Sequence, residues 1–413
     1  MSSTAAALIS GLVRLRTGAD LPVRLRAWDG SEAGPSDGPV LTALSPQALR
    51  RIMWRPGELG LARAYISGDL DFEGDLTDGL RHVWGALRET PKRGIALAPA
   101  GWAAAKAAVR LKILGPPPEP PGCELRVRGR LHSRARDRAV IAGHYDLPVA
   151  FYQLILDPSM AYSCAYWTKP GDTLADAQRA KLELIGGKLG LEPGQRLLDM
   201  GCGWGSLTIH AARARVQVTG ISLSREQGGY VRQRARGLSL TEDRVQVRIQ
   251  DYRDPLAGPY DAIASVEMGE HVGAAQYPRF LAALHDRLRP DGRLLIQQMS
   301  RGARAPGGGP FIESYITPDM DMRPVDATLR LIENAGFEVI GVQAMRHHYV
   351  RTIRAWLENF EQNLPAIKEI LSQEQILLWR LYLAGGALAF EEGRMGVDQI
   401  LAVRHGPRTR NAR

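Results

Sequence analysis

The stretch that most constrains the fold is Gln195 to Gly205, which reads Gln-Arg-Leu-Leu-Asp-Met-Gly-Cys-Gly-Trp-Gly. A short apolar run, Leu197 and Leu198, meets Asp199 and then three glycines at alternate positions. After Gly205 the pattern becomes helical, with Leu207, Ile209, Ala211 and Ala212. This spacing predicts a strand, a tight loop and a helix. Glycine tolerates positive φ and lets a ligand approach the backbone closely. Loops at the carboxyl ends of strands are where open α/β sheets bind ligands. Asp199 at the strand end is placed to meet a cation or a ligand amine. The order of residues is neither Gly-x-Gly-x-x-Gly nor a Walker loop with Gly-Lys-Ser/Thr.

The chain continues as an alternation. Apolar runs at 216–222, 245–250, 260–266 and 293–298 read as strands, and 174–189, 225–236 and 276–288 as helices. Arg289-Pro-Asp-Gly292 is a turn signal. Beyond it come a helix at 326–335, a strand at 337–345, a long helical stretch at 350–395 and a closing strand at 398–404. Strands alternating with helices predict a doubly wound parallel sheet, an α/β fold. Right-handed crossovers then bring the strand ends to one edge. Those ends carry Asp199 and Gly201, Ser222, Asp251, Glu267 and Glu270, and Gln297.

A length of 413 residues implies more than one domain. Pro116-Pro-Pro-Glu-Pro-Pro121 is a polyproline linker. It separates a smaller mixed N-terminal domain, 1–115, from a Pro- and Arg-rich linker, 116–138, and a catalytic domain, 139–413. In the first part, strands are expected at 22–28 and 40–44 and helices from Pro46 and at 58–67. The acidic stretch 69–75 reads as a turn or hairpin. The net charge of +9 is uneven, with 21 Lys and Arg against 14 Asp and Glu among residues 1–138. Arg126, Arg128, Arg130, Arg134, Arg136 and Arg138 form the densest run. Such a patch suits an anionic surface, and a solvated Arg-rich face is the plain alternative. Three cysteines, Cys123, Cys164 and Cys202, argue against a disulfide framework and for a reduced, cytoplasmic setting. The N-terminus makes a poor signal peptide, and no window is apolar enough to span a bilayer. His347 and His348 lack metal-ligand spacing, so no metal is expected. The aromatic-rich stretch 144–167 reads as core or as an apolar pocket wall.

From about residue 130 onward the chain resembles the cyclopropane-fatty-acid synthase family, which includes the mycolic acid methyltransferases. The resemblance rests on His144-Tyr-Asp-Leu, Tyr162-Ser-Cys-Ala-Tyr-Trp167, Leu198-Asp-Met-Gly-Cys-Gly-Trp-Gly205, Gln250-Asp-Tyr-Arg-Asp254 and Glu270-His-Val-Gly273. It implies a Rossmann-like S-adenosylmethionine (SAM) methyltransferase sheet. By resemblance, Gly201, Gly203 and Gly205 cradle SAM, with Asp199 near its methionyl end. Tyr162 and Ser163 are further contacts. Ser222 and Gln227 belong on the ribose side, and Asp251 and Tyr252 on the adenine side.

The resemblance also implies a bicarbonate ion as general base, held by a Cys, a Glu, a His, an aliphatic backbone position and a Tyr. Cys164, Glu270 and Tyr349 match. The His position is Gln297 and the aliphatic one Met299, unless the strand presents Gln298 instead, because a one-residue slip exchanges faces. A glutamine can hydrogen-bond an anion but carries no charge, which leaves the ion's binding open.

The implied reaction adds a SAM methyl to a cis double bond in a phospholipid acyl chain. It leaves a carbocation that must lose a proton. The missing His leans the reading towards a methylene or methyl-branched product, the latter with a partner reductase. Ring closure to a cyclopropane is the alternative. A nucleic-acid methyltransferase and a non-catalytic lipid-binding subunit are rival classes. The first lacks an Asn/Asp-Pro-Pro-Tyr loop at the fourth strand end, and the second is opposed by the intact glycine loop. No nucleic-acid partner is expected, and a homo-oligomer is left open. The implied setting is cytoplasmic with peripheral attachment to an anionic membrane.

Overall fold

A computed structural model describes residues 4–89, 99–145, 147–302 and 307–406. Asp146 of the His144 string lies outside them. The chain divides into two compact units, one of residues up to Glu124 plus Leu371–Leu388, the other of Leu125–Ile370 plus Ala389 onward. The polyproline segment therefore belongs to the first unit, and so does part of the helix Gln373–Glu391, which sequence pattern alone assigns to the catalytic domain.

The first unit holds four short strands, β1 (Arg24–Arg26), β2 (Glu32–Ala33), β3 (Val40–Ala43) and β4 (Leu70–Glu73), in the order β2-β1-β3-β4. The acidic stretch at 69–75 is thus an antiparallel edge strand, with Leu41 opposite Phe72. Asp69 just before it accepts from Arg51 and Ser45, and Ser45 Oγ in turn caps the helix Pro46–Trp54 by accepting from Gln47 N–H at 3.1 Å. Small side chains fill the centre: Ala6, Ala43, Ala48 and Ala64 pack with Ile9, Leu25 and Ile113.

The second unit is built on seven strands: β5 (Arg196–Met200), β6 (Gln217–Ser222), β7 (Val245–Ile249), β8 (Tyr260–Val266), β9 (Leu288–Arg301), β10 (Phe337–Ala344) and β11 (Met395–Arg404). Their order is β10-β11-β9-β8-β5-β6-β7. Strands β5 to β9 are mutually parallel, as the alternating pattern predicts. The closing strand β11 inserts antiparallel between β9 and β10. The turn signal at 289–292 lies inside β9. It forms a bulge there: Tyr260 faces Leu288 and Ala262 faces Arg293, and Asp291 takes φ +61°.

Both sheet faces are covered, which is why these strands are apolar throughout. Leu198, Ile263, Leu294 and Ile296 pack on one side with Phe280, Leu281 and Leu284 of the helix Tyr277–Arg287. Leu197, Ala262, Ala264 and Leu295 pack on the other with Leu182, Ile185 and Leu189 of the helix Leu174–Leu189. Each fully buried Leu or Ile in these layers contributes roughly 1.5–3 kcal/mol. The chain runs outward through β5, β6 and β7, then returns to β8 on the other side of β5. The switch point therefore lies between β5 and β8, the place where such sheets open a crevice.

Candidate active site

A cleft opens at this switch point, and six of the ten expected cofactor residues line it: Gly201, Gly203, Ser222, Gln227, Asp251 and Tyr252. Gly201 and Gly203 take φ +88° and +51°. A Cβ on Gly203 would meet nothing within 4 Å, so this glycine leaves room on the cleft side. Gly205 is different: a Cβ there would strike Val231 at 2.7 Å, so it serves the close packing of helix Ser206–Arg213. Ser222 Oγ donates to Gln227 Oε1 at 2.8 Å, so these two hold each other. Asp251 accepts from Arg253 through both oxygens, and Oδ2, with one such bond, keeps acceptor capacity for a ligand amine.

Three of the expected cofactor residues do not line the cleft. Asp199 is buried and accepts from Thr208 Oγ1 at 2.6 Å, and burial raises its carboxyl to about 6. Ser163 accepts from the buried Lys181 at 3.0 Å. Tyr162 packs against Tyr152 and Trp356, with ring centroids 5.9 and 5.1 Å away. Phe151 and Tyr152 are fully buried, so this part of the aromatic-rich stretch is core.

The second cluster lies where β8 ends. Glu267, which also lines the cleft, gathers three donors. Its Oε1 accepts from Cys164 N–H and from Gln297 Nε2, each at 2.8 Å, and its Oε2 accepts from the Tyr349 hydroxyl at 2.6 Å. Burial raises this carboxyl, while Tyr349, the Cys164 N–H, Gln297 and the Lys181 ammonium oppose the rise. Three of the four expected catalytic residues thus meet on a fifth, which the sequence places among the strand-end residues without a catalytic role. Cys164 contributes its backbone. Its thiol is buried, donates to Ala165 and Met345 carbonyls, and is pushed well above the ordinary thiol range by burial.

Gln297 is the inward residue. Gln298 points elsewhere, accepting from Tyr277 at 2.5 Å and donating to Thr328 at 3.2 Å. The Gln297 amide is held in one sense by a row across three strands. Gln343, Gln399 and Gln297 stand directly opposite one another on β10, β11 and β9. Lys188 Nζ donates to Gln343 and Gln399 oxygens at 2.6 Å, and Gln399 Nε2 donates to Gln297 Oε1 at 2.8 Å. An ammonium can only donate, so Gln297 is left with its Nε2 toward Glu267.

Glu270, three residues on, is completely buried. Its Oε1 accepts from the Met299 N–H at 3.4 Å, and among the described residues its Oε2 has no hydrogen-bond partner. Burial and the nearby Glu267 push it up to about 8, so it is mostly protonated at neutral pH. His271, on the cleft wall, is held down to about 4 by burial and is neutral.

The implied bicarbonate does not fit this arrangement. The donors that would hold it, Tyr349 and Gln297 together with the Cys164 backbone, are engaged by Glu267, and the Met299 N–H by Glu270. A further anion would stand against a carboxylate with its donors taken. The glycine-lined cleft, by contrast, suits a nucleoside-bearing cofactor.

Sequence reasoning missed Lys181 and Gln399 as well as the role of Glu267. Lys181 sits on the inner face of an amphipathic helix, where a cation is rare unless paired. That oddity was the available signal. Among the described residues no helix is long and apolar enough to cross a membrane, and all three cysteines are free.

With this geometry in view, residues 132–400 match the family model described as mycolic acid cyclopropane synthetase. The chain is 36% identical over 282 residues to the cyclopropane-fatty-acyl-phospholipid synthase of Escherichia coli K12, covering 67% of this chain and 72% of that one. It is 32% identical over 422 residues to the tuberculostearic acid methyltransferase of Mycobacterium tuberculosis, covering 98% and 93%. Among solved structures, the mycolic acid cyclopropane synthase CmaA1 complexed with SAH and CTAB superposes with a TM-score of 0.60 at 31% identity, over 64% of this chain and 98% of that one.

Proposed function

The chain belongs to the mycolic acid cyclopropane synthetase family and is a SAM-dependent methyltransferase, and we propose that its acceptor is a cis double bond in a phospholipid acyl chain and its product a methylene-branched chain. SAM supplies an electrophilic methyl group when bound. Gly201, Gly203, Ser222, Gln227, Asp251 and Tyr252 would hold it along the cleft, and Tyr162, Ser163, Asp199 and Gly205 would support the loop. The buried Tyr152, Trp204 and Trp356 rings, with the half-buried Tyr162, line up beside the loop and keep the surroundings apolar.

The observation that carries the product is Gln297. Where the resemblance implies an imidazole able to take up a proton, this chain has a neutral amide fixed as a donor to Glu267. Its whole-length similarity to a protein named tuberculostearic acid methyltransferase supports the same reading. A partner reductase would then turn the methylene into a methyl branch. The test is mass spectrometry of lipids from a host that makes its own unsaturated phospholipids and expresses this chain. The expected product is an acyl chain with an added exocyclic methylene. A cyclopropane product would establish the alternative, and Gln297→His is expected to move product towards the ring.

The N-terminal unit is proposed to dock on an anionic membrane surface. Leu44, Met53, Trp54 and Leu114 are each about half exposed on it, and Trp54 Nε1 donates to Gly115 O at 3.1 Å. Flotation with anionic liposomes, weakened by salt, is the expected behaviour, with no shift of DNA or RNA in a gel.

A further inference from the structure

The groups expected to grip a free anion converge instead on a side chain of the chain itself. Glu267 borders the cofactor cleft, and its two oxygens take up the Cys164 N–H, the Gln297 amide and the Tyr349 hydroxyl. Its backbone sits at φ +50°, a left-handed conformation that glycine adopts freely and other residues rarely do. The fold therefore does not ask for a glutamate at this turn. What engages the side chain is the set of donors waiting for it. Lys181, buried on the facing helix, supplies positive charge nearby.

We propose that the Glu267 carboxylate is the built-in general base of the reaction, standing in the place of a bicarbonate ion, so that turnover needs none. This rests on the reading that the acceptor is an alkene. Once the acyl chain carries the transferred methyl and an adjacent carbocation, a Glu267 oxygen takes a proton from that methyl. If a hydride has first shifted from the methylated carbon, the C–H electron pair becomes the second bond of an exocyclic methylene. If not, it closes a three-membered ring. In either case the cation is discharged and the carboxylate becomes a carboxylic acid, which returns its proton to water after product leaves.

The donors also bear on which outcome wins. A carboxylate holding three hydrogen bonds is a weaker base than a bare one. Slower proton removal gives the hydride time to move, which favours the methylene. The glutamine row keeps that restraint in place, because Lys188 fixes the sense of Gln399 and Gln399 that of Gln297.

The test uses the full-length protein with vesicles of an unsaturated phospholipid and measures SAH release. It is run in CO2-free buffer and again with added bicarbonate. In parallel, line broadening of 13C-labelled bicarbonate is followed with protein alone. The wild type is expected to turn over equally in both buffers and to leave the bicarbonate signal sharp. Glu267→Gln is expected to lose about 100-fold or more in turnover, within the range for a missing general base, while calorimetry shows SAM still binding. Glu267→Gly, which the backbone accommodates, opens the anion position. It is expected to broaden the bicarbonate signal and to regain turnover when bicarbonate is added. A wild type that stops in CO2-free buffer and restarts with bicarbonate would overturn the proposal, as would a Glu267→Gln variant of nearly normal rate. If the wild type releases no SAH with any unsaturated vesicle, the alkene reading fails instead.

Discussion

At the end of β8 two glutamates, three residues apart, live under opposite conditions. Glu267 meets the Cys164 backbone, Gln297 and Tyr349, with Lys181 near enough to favour its charge. Glu270 is wholly buried, with one long contact and an oxygen without a partner among the described residues. Burial raises both carboxyls; at Glu267 Tyr349, the Cys164 N–H, Gln297 and Lys181 oppose the rise, whereas Glu270 reaches about 8. Sequence resemblance points to Glu270 as the carboxylate of the anion site. The structure teaches that donors, not the mere presence of a carboxyl group, favour Glu267 over Glu270 as the base.

The strongest way to break this contrast is Glu267→Gln. It keeps the shape but removes the base, and should lower turnover by ~100-fold or more with SAM affinity intact, read by SAH release and calorimetry. Tyr349→Phe is next. It deletes one hydrogen bond to a charged group, worth roughly 1.5–3 kcal/mol, so the Glu267 carboxyl takes up its proton more readily and the acid limb of the pH–rate profile should move up by about 1–2 pH units without moving the KM for SAM. Glu270→Gln should cost much less at pH 7, because the native side chain is already mostly protonated. Its mark is on stability. The folded value of about 8 stands above the ordinary 4.5, so the stability this group lends is complete below pH 4.5 and lost as pH rises through 8. A Tm series from pH 6 to 9 should fall less steeply in the variant than in the wild type. Cys164→Ala should matter least, since the N–H that reaches Glu267 survives. A collapse of activity there would mean that the thiol, and not the backbone, is used.

Much of this was legible in the sequence. The strand, glycine loop and helix follow from local pattern, and the parallel run β5 to β9 follows from alternation with helices. The place of β11 was not legible, because a strand's own period does not name its neighbour. Its insertion between β9 and β10 is settled by tertiary pairing alone. Gly205 looked like part of a ligand cradle, but motif spacing cannot distinguish an open side from one filled by Val231. Gln297 was legible as a departure and Glu267 only as a loop residue. The first needs a motif to be seen, and the second needs its partners from residues 164, 297 and 349 assembled in space. The segment 371–388, helical by pattern as expected, joins the N-terminal unit, a tertiary placement that helical periodicity does not specify.

The glutamine row across β10, β11 and β9 has one more consequence. Adjacent strands lie about 4.8 Å apart, so its far end at Gln343 stands roughly 10 Å from Gln297. A slip of one residue anywhere along that row would turn a glutamine to the opposite face and free the Gln297 amide to rotate. Gln297 would then present an oxygen to Glu267 and repel the charge it now supports. Strand register, ordinarily a matter of folding, becomes in this sheet a setting of acid–base strength, and an edge substitution far from the cleft could retune the chemistry without touching it.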